Sequence, residues 1–325
     1  MTIDPVTEYE FKDRMLSLGL ARVSEAAAIA AAKLIGHGDE KAADQAAVDA
    51  MRTQLDLLDI QGVVVIGEGE RDEAPMLYIG EEVGNGHGPE VDIALDPLEG
   101  TTLTAKAMPN AMAVIAMAPR GSMLHAPDVY MWKLAIGPGY PEGIVDLDMD
   151  PAECVRELAK SKGAPPREIT VCILERPRHQ EMIDKVRHTG AAIHLITDGD
   201  VAGVIHTAQS DHTGIDMYMG AGGAPEGVLA AAALKCMGGQ IQGRLHFRND
   251  EERARADRAG ITDFDKKYTL HEMVNADVIF AATGVTDGSI LRGAKKMGHY
   301  LETETLLMRS KSGSVRRITY RQKNQ

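Results

Sequence analysis

Residues 91–102 read Val-Asp-Ile-Ala-Leu-Asp-Pro-Leu-Glu-Gly-Thr-Thr, an apolar run that ends in two carboxylates, a proline, a glycine and two hydroxyls. Asp96 closes a strand over 91–95, Pro97 fixes the exit by locking its own φ, and Gly100 lets other backbone come close. Glu99 then turns back toward Asp96, with the Thr101 hydroxyl near both and able to hold a water. The plainer alternative is a strand-to-helix turn in which Asp and Thr serve as caps. Two more acidic, glycine-flanked stretches follow apolar runs: Gly67-Glu68-Gly69-Glu70 after 63–66, and Gly220-Ala221-Gly222-Gly223-Ala224-Pro225-Glu226-Gly227 after 215–219. An unpaired buried carboxylate is costly, so such groups must face water or share a cation. Hard oxygen donors without matching Cys or His point to Mg²⁺ or Mn²⁺. Those ions commonly partner phosphate chemistry.

Outward from this centre the chain alternates strands and helices. Helices are predicted over 24–36, with Ser24 as N-cap, and over 43–58. Strands are predicted over 63–66, 91–95, 111–118 and 129–136. In the second half, strands 169–174, 192–196 and 215–219 alternate with helices 180–187, 201–208 and 225–237, an α/β signature. A strand over 277–283 precedes a hairpin of 306–309 and 315–320 around Ser312-Gly313. Pro151, Gly163, Pro165 and Pro166 cluster where the rhythm changes. That cluster places a boundary between an N-terminal lobe, 1–165, and a C-terminal lobe, 166–325.

The 325 residues carry a net charge of −13, from 48 acidic against 35 basic side chains. That balance argues against a nucleic-acid partner, which needs a basic footprint. An anionic substrate would need metal or local Arg and Lys to overcome the overall field. Cys154, Cys172 and Cys236 have no metal-like spacing, and an odd, scattered set suits a reducing cytoplasm. No secretory leader is legible, and no stretch is expected to span a membrane.

The stretch Asp96-Pro97-Leu98-Glu99-Gly100-Thr101 resembles the signature of the lithium-sensitive, metal-dependent phosphatase superfamily. With the block from Val65 to Tyr78 upstream, the chain is similar to class II fructose-1,6-bisphosphatases of the bacterial GlpX type. Tyr130, Arg176-Pro177-Arg178-His179, Asp198-Gly199-Asp200, the turn from Gly222 to Gly227, and Thr303-Glu304-Thr305 follow in order over nearly the whole chain. The resemblance implies a layered αβαβα, inositol monophosphatase-like fold with two lobes. It implies metal-dependent hydrolysis of the 1-phosphate of fructose 1,6-bisphosphate in gluconeogenesis, by a homodimer or homotetramer. Two functional alternatives stay open: a dual fructose-1,6-/sedoheptulose-1,7-bisphosphatase, and a sugar-phosphate sensor without turnover.

The same resemblance implies metal ligands at Asp44, Glu68, Asp96, Glu99 and Glu226, with Glu70 orienting a ligand or a water. It implies Thr101 as the catalytic residue. A threonine hydroxyl is a poor base, so its use is to align the attacking water. Substrate contacts are implied at Glu99, Gly100, Thr101, Tyr130, Arg176, Pro177, Arg178, Asp198, Gly199, Asp200 and Gly223. The arginine pair would clamp a phosphate with bidentate donors, and the two aspartates would accept from sugar hydroxyls. Structural readings stand beside these. Asp44 can cap a helix. Glu226 can serve the helix dipole just after Pro225. Asp198 and Asp200 can form a turn and an N-cap. Tyr130 can be packing. One departure precedes the first ligand: relatives often carry Asp-Lys-Asn-Thr-Ala-Asp, where this chain has Asp39-Glu40-Lys41-Ala42-Ala43-Asp44.

Overall fold

The structure, a computed structural model, describes residues 5–69 and 75–323, residues 5–14 by their backbone alone. The chain runs α1 (Pro5–Ala32), α2 (Glu40–Leu55), β1 (Gln61–Ile66), β2 (Glu82–Val83), β3 (Glu90–Glu99), α3 (Thr101–Ala105) and β4 (Met112–Pro119). Next come β5 (Tyr130–Ile136), α4 (Pro151–Lys162), β6 (Thr170–Leu174), α5 (Gln180–His188), β7 (Ala192–Ile196), α6 (Asp200–Thr207) and α7 (Ser210–Thr213). They are followed by β8 (Met217–Gly223), α8 (Ala224–Met237), β9 (Gln240–His246), α9 (Asp250–Arg258), β10 (Lys267–Thr269) and α10 (Leu270–Met273). The last strands are β11 (Ile279–Gly284), β12 (Lys295–Met297), β13 (Tyr300–Arg309) and β14 (Ser314–Lys323). The α/β expectation holds, with two sheets and helices packed on them.

The expected lobe boundary is corrected. The chain forms two compact units, Met1–Ser122 with Asp277–Gln325, and Met123–Ala276. The Pro and Gly cluster near 150–166 punctuates a helix inside the second unit. Asp150 caps α4 by accepting from the Ala152 N–H at 2.9 Å, Pro151 opens the helix, and Gly163 ends it in the left-handed region with φ 70°. These are the residues that local helix chemistry calls for at each end. The return of β11, β13 and β14 to the first sheet is a long-range pairing that local composition does not signal.

In the first unit the sheet order is β12-β13-β11-β4-β3-β1-β2, with β14 on the far side of β13. Among the described residues only β1 and β3 run parallel; the other pairs are antiparallel. Helices α1 and α2 bury Leu20, Ala27, Ala31, Met51 and Leu55 with Val64, Ile93, Leu95 and Ile115 of the strands. Removing this apolar surface from water is the main force holding helices to sheet. Strands β4 and β11 are buried on both faces, which accounts for their unbroken apolar sequences.

Ser24 is not an N-cap. It lies inside α1, where its hydroxyl donates to the Ala21 carbonyl at 3.0 Å and pairs with the Thr283 hydroxyl at 2.8 Å. A buried hydroxyl needs a partner, and here the neighbouring strand supplies it. Residues Met15–Ala32 of α1 are long and apolar enough to cross a membrane, against expectation, but half of that window is buried inside the protein. Packing against α2 and the strands is the behaviour of a core helix.

The second unit has sheet order β10-β9-β5-β8-β6-β7, with β6 parallel to β7 and β8 and the remaining pairs antiparallel. Helices α4 and α5 cover one face, with Val155, Leu158, Ile183 and Val186 packed against Leu134, Val171, Ile173 and Met219. Helices α6 and α8 pack against the sheet as well. A Cβ on Gly203 would touch Cys172 and Tyr218, and one on Gly227 would press on Met131, so both helices lie close to the strands.

Candidate metal and sugar-phosphate site

In the first unit the decisive feature is a bulge. Asp96 of β3 faces Val114 of β4, but Glu99 faces Met112, so three steps on β3 match two on its partner. In a regular strand, residues three apart point to opposite faces. The extra residue cancels that alternation, and carboxylate oxygens of Asp96 and Glu99 come within 4.8 Å of each other. Pro97 sits inside this irregularity, where a missing N–H costs no ladder bond. The Leu98 N–H donates to Asp96 Oδ1 at 3.0 Å, fixing that carboxylate to its own turn. Glu99 is 5% exposed. Gly100 follows with φ 90°, and a Cβ there would press on Leu103. Glycine is thus required, and α3 starts at Thr101.

The other first-unit ligands expected from sequence lie on or just beyond elements that contact β3, namely β1 and α2. Glu68 lies just beyond the C-terminal end of β1, the parallel neighbour of β3. The C-terminal ends of parallel strands are where α/β folds place ligands. Its N–H donates to the Leu77 carbonyl at 3.0 Å, and a Cβ on Gly67 would overlap that carbonyl, so the turn admits only glycine there. Asp44 does not cap α2. Asp39 does, by accepting from the Ala42 N–H at 3.0 Å, and Asp44 lies more than a turn's first residues into the helix. Gly36 and Gly38 donate to the Thr104 and Ala105 carbonyls, both at 3.0 Å, tying the loop before α2 to α3. Burial raises the Asp44 pKa above the ordinary aspartate value, as desolvation disfavours the charged form. Thr101 is half-buried at the start of α3. Glu70 lies outside the described residues.

The second unit gathers its groups differently. At the end of β8, Gly223 precedes α8, whose first residues are Ala224, Pro225 and Glu226. A Cβ on Gly223 would overlap the Glu226 carboxylate, so that side chain folds back over the turn. An acid at this position is also favoured by the helix dipole, and the structural reading of Glu226 remains compatible with metal ligation. Tyr130 begins β5, paired with Gly223 of β8 and His246 of β9. Arg178 reaches its ring, with Cζ 4.6 Å from the centroid, and donates through Nε to the Ala221 carbonyl at 3.2 Å. The structure therefore brings Tyr130, Arg178, Gly223 and Glu226 to one end of the sheet.

Arg176 is half-buried and donates to the carbonyl of its neighbour Glu175 at 3.0 Å. Pro177 opens a 3-10 turn, Pro177–His179, that contains Arg178 and has Arg176 just before it. Asp198 accepts from the Gly199 N–H at 3.1 Å, and Gly199, with φ 80°, caps α6 without a side chain. The N-cap reading of the two aspartates is thus replaced: Asp200 is the first residue of α6 and is 6% exposed.

Two residues carry structure that the sequence reading left unassigned. Lys133 is 1% exposed on β5, bonds the Asp200 carboxylate, and donates to the Gly223 carbonyl at 2.7 Å. The lone lysine inside Met-Trp-Lys-Leu-Ala-Ile was the available signal, since a buried ammonium demands a partner. His179 is fully buried between β6 and β8. Its Nε2 accepts from the Ala221 N–H at 2.8 Å, so the proton sits on Nδ1 and donates to the Leu174 carbonyl at 2.7 Å. Burial lowers its pKa and keeps the ring neutral.

Comparison with known proteins is consistent across the chain. The family described as bacterial fructose-1,6-bisphosphatase, glpX-encoded, matches residues 14–322. Over 319 residues the chain is 46% identical to the fructose-1,6-bisphosphatase 1 class 2 of Escherichia coli (strain K12), covering 94% of each. It matches the fructose-1,6-bisphosphatase class 2 of Shigella flexneri to the same extent. Among solved structures, the inositol monophosphatase from Anabaena (Nostoc) sp. PCC 7120 is 14% identical, with a TM-score of 0.31 over 60% of this chain and 71% of that one. That likeness carries no argument, and the α/β class rests on the two sheets themselves.

Proposed function

The chain belongs to the glpX-encoded bacterial fructose-1,6-bisphosphatases, and from that premise we propose how its residues carry out the reaction. The activity is hydrolysis of the 1-phosphate of fructose 1,6-bisphosphate to fructose 6-phosphate and phosphate, in gluconeogenesis. The observation that carries the residue assignment is the convergence of Asp96 and Glu99 across the β3 bulge, with Thr101 two residues further on.

The donor set fits divalent ions, because it consists of hard carboxylate oxygens. Asp44, Glu68, Asp96, Glu99 and Glu226 are the proposed ligands, for Mg²⁺ or Mn²⁺. When bound, the ions supply charge neutralisation at the phosphoryl oxygens and lower the pKa of water. The Thr101 hydroxyl orients the attacking water in line with the scissile bond. Glu99, two residues before it, is the carboxylate that takes up the water's proton. Arg178, with Tyr130 at its side, holds the phosphate that does not react. Arg176 adds positive charge near that phosphate, and Pro177 keeps the two arginines apart. The backbones of Gly100, Gly199 and Gly223 allow close approach, and Asp198 accepts from a sugar hydroxyl. Asp200 supports this end of the sheet through Lys133. The enzyme is proposed to act in the cytoplasm as a homodimer or homotetramer.

The test is phosphate release by the purified protein from fructose 1,6-bisphosphate, sedoheptulose 1,7-bisphosphate and inositol 1-phosphate, each with Mn²⁺, Mg²⁺ or EDTA. Metal-dependent release from the fructose bisphosphate, well above that from inositol phosphate, is expected. Equal rates on all three, or rates unaffected by EDTA, would contradict the assignment.

A further inference from the structure

Tyr130 is approached by a second guanidinium, which the sequence reading did not single out. Arg248 lies two residues beyond β9, with Cζ 4.3 Å from the Tyr130 ring centroid, against 4.6 Å for Arg178. The two cations are therefore no further apart than the sum of those distances. Like charges held this close repel each other unless an anion lies between or beside them.

Both side chains are anchored, and each anchor leaves donors over. Arg178 commits Nε and Nη2 to the Ala221 carbonyl. Arg248 commits Nε to Glu252 Oε1 at 2.6 Å and Nη2 to the same carboxylate, while its own N–H donates to Glu252 Oε2 at 2.7 Å. Glu252 is 4% exposed, in the first turn of α9, itself capped by Asn249. A half-exposed arginine on a buried carboxylate holds its place instead of wandering in solvent. Each guanidinium has five N–H donors in a rigid fork. Among the described residues, the Nη1 groups of both arginines and the Tyr130 hydroxyl make no hydrogen bond to protein. Asp128, close to Arg248, is paired with Arg255 at 3.4 Å.

We propose that Arg248 is a second phosphate-binding residue, forming with Arg178 a two-guanidinium clamp about Tyr130 for the non-reacting phosphate of the sugar bisphosphate. This rests on the functional reading above. Two fixed forks and a phenol hydroxyl meet the several oxygens of a phosphate dianion. The clamp needs no metal, which suits the phosphate that is not attacked. Its consequence is specificity: it rewards a substrate with two phosphates and is indifferent to one with a single reacting phosphate. Glu252 is a positioning residue that aims the Arg248 fork.

The test uses the full chain with Mn²⁺ and compares fructose 1,6-bisphosphate with fructose 1-phosphate. Arg248→Ala is expected to raise KM for the bisphosphate about tenfold or more, the usual scale for one charge-assisted pair, with kcat little changed. The fructose 1-phosphate parameters should stay as in the parent. Arg248→Lys should recover only part of the loss, because an ammonium lacks the fork. The double variant Arg248→Ala/Glu252→Gln removes the stranded carboxylate and should behave like the single one. Equal losses on both substrates, or an unchanged KM for the bisphosphate, would overturn the proposal. A calorimetric titration with fructose 6-phosphate is independent of turnover: binding by the parent and loss in the variant would uphold the clamp even if hydrolysis were never seen. Equal binding by parent and variant would sink it.

Discussion

The two units assemble their candidate sites by opposite routes. In the first, one contiguous segment, Asp96 to Thr101, carries two carboxylates and a hydroxyl, and a single bulge against β4 turns both acids the same way. In the second, Tyr130 and Lys133 of β5 are joined by Arg178, Asp200, Gly223 and Arg248 from other parts of the unit. Buried charge pairing and glycine turns hold them together. A site written in one segment is set by local backbone geometry. A site assembled from many is set by pairwise contacts, and so by tertiary packing. Mutations should therefore act differently in the two units: on chemistry in the first, on support and binding in the second.

The sharpest contrast is at Thr101. Replacing it with Ala should lower kcat by about two to four orders of magnitude, the range for a positioned group acting on a proton or water. Mn²⁺ affinity, fructose 6-phosphate affinity and melting temperature should be preserved. Steady-state kinetics with a thermal melt would check this, and turnover near the parent level would remove Thr101 from the mechanism.

Lys133→Met inverts the pattern. It leaves the Asp200 carboxylate buried without its cation, a change that typically costs about 3–5 kcal/mol. Equilibrium denaturation should show that loss as a lower midpoint. A variant as stable as the parent would mean that the Lys133–Asp200 pair does not brace this end of the sheet.

Gly223→Ala probes the junction between support and ligation. The added methyl must displace the Glu226 carboxylate, so Mn²⁺ should bind about 10–100-fold more weakly, as when a ligand's orientation is disturbed. Calorimetry would read the change. Undisturbed Mn²⁺ binding would assign Glu226 to the helix dipole alone.

The smallest effect concerns a carboxylate of the first unit outside the site. Burial pushes Glu25 from 4.5 up to about 7, against the opposing influence of the Thr305 hydroxyl and Arg22. The folded state then keeps a proton that the unfolded state gives up. Glu25 therefore destabilises the fold progressively as pH rises from about 4.5 to 7. Denaturation of Glu25→Gln across that window should lack this part of the slope, and parallel curves for parent and variant would contradict it.

Much of the first unit's candidate site was legible because its residues are neighbours in sequence. Asp96, Glu99, Gly100 and Thr101 sit in one motif, and the need for glycine at a φ of 90° is a local matter. The bulge itself was not legible, since it depends on the register of β4. The ends of α1 and α2 were misplaced for related reasons. Ser24 looks like a cap, but its hydroxyl answers Thr283, distant in sequence, and Asp39 caps α2 where Asp44 was a candidate. In the second unit, Arg178 and Gly223 were named as candidates by resemblance. Arg248 was not, because nothing around a single arginine after β9 announces that it meets Tyr130. The unit boundary escaped for the same cause: β11 and β13 rejoin a sheet begun more than two hundred residues earlier, a separation that only strand pairing reveals.

The most direct test of the account is Mn²⁺ binding to the full chain and to Asp96→Asn, Glu99→Gln and the double variant, followed by titration calorimetry. If the bulge exists to bring two carboxylates onto one ion, each single change should weaken binding strongly, and the double change should add little beyond the larger of the two. Binding of parent strength in both single variants would contradict the claim that this pair holds the metal.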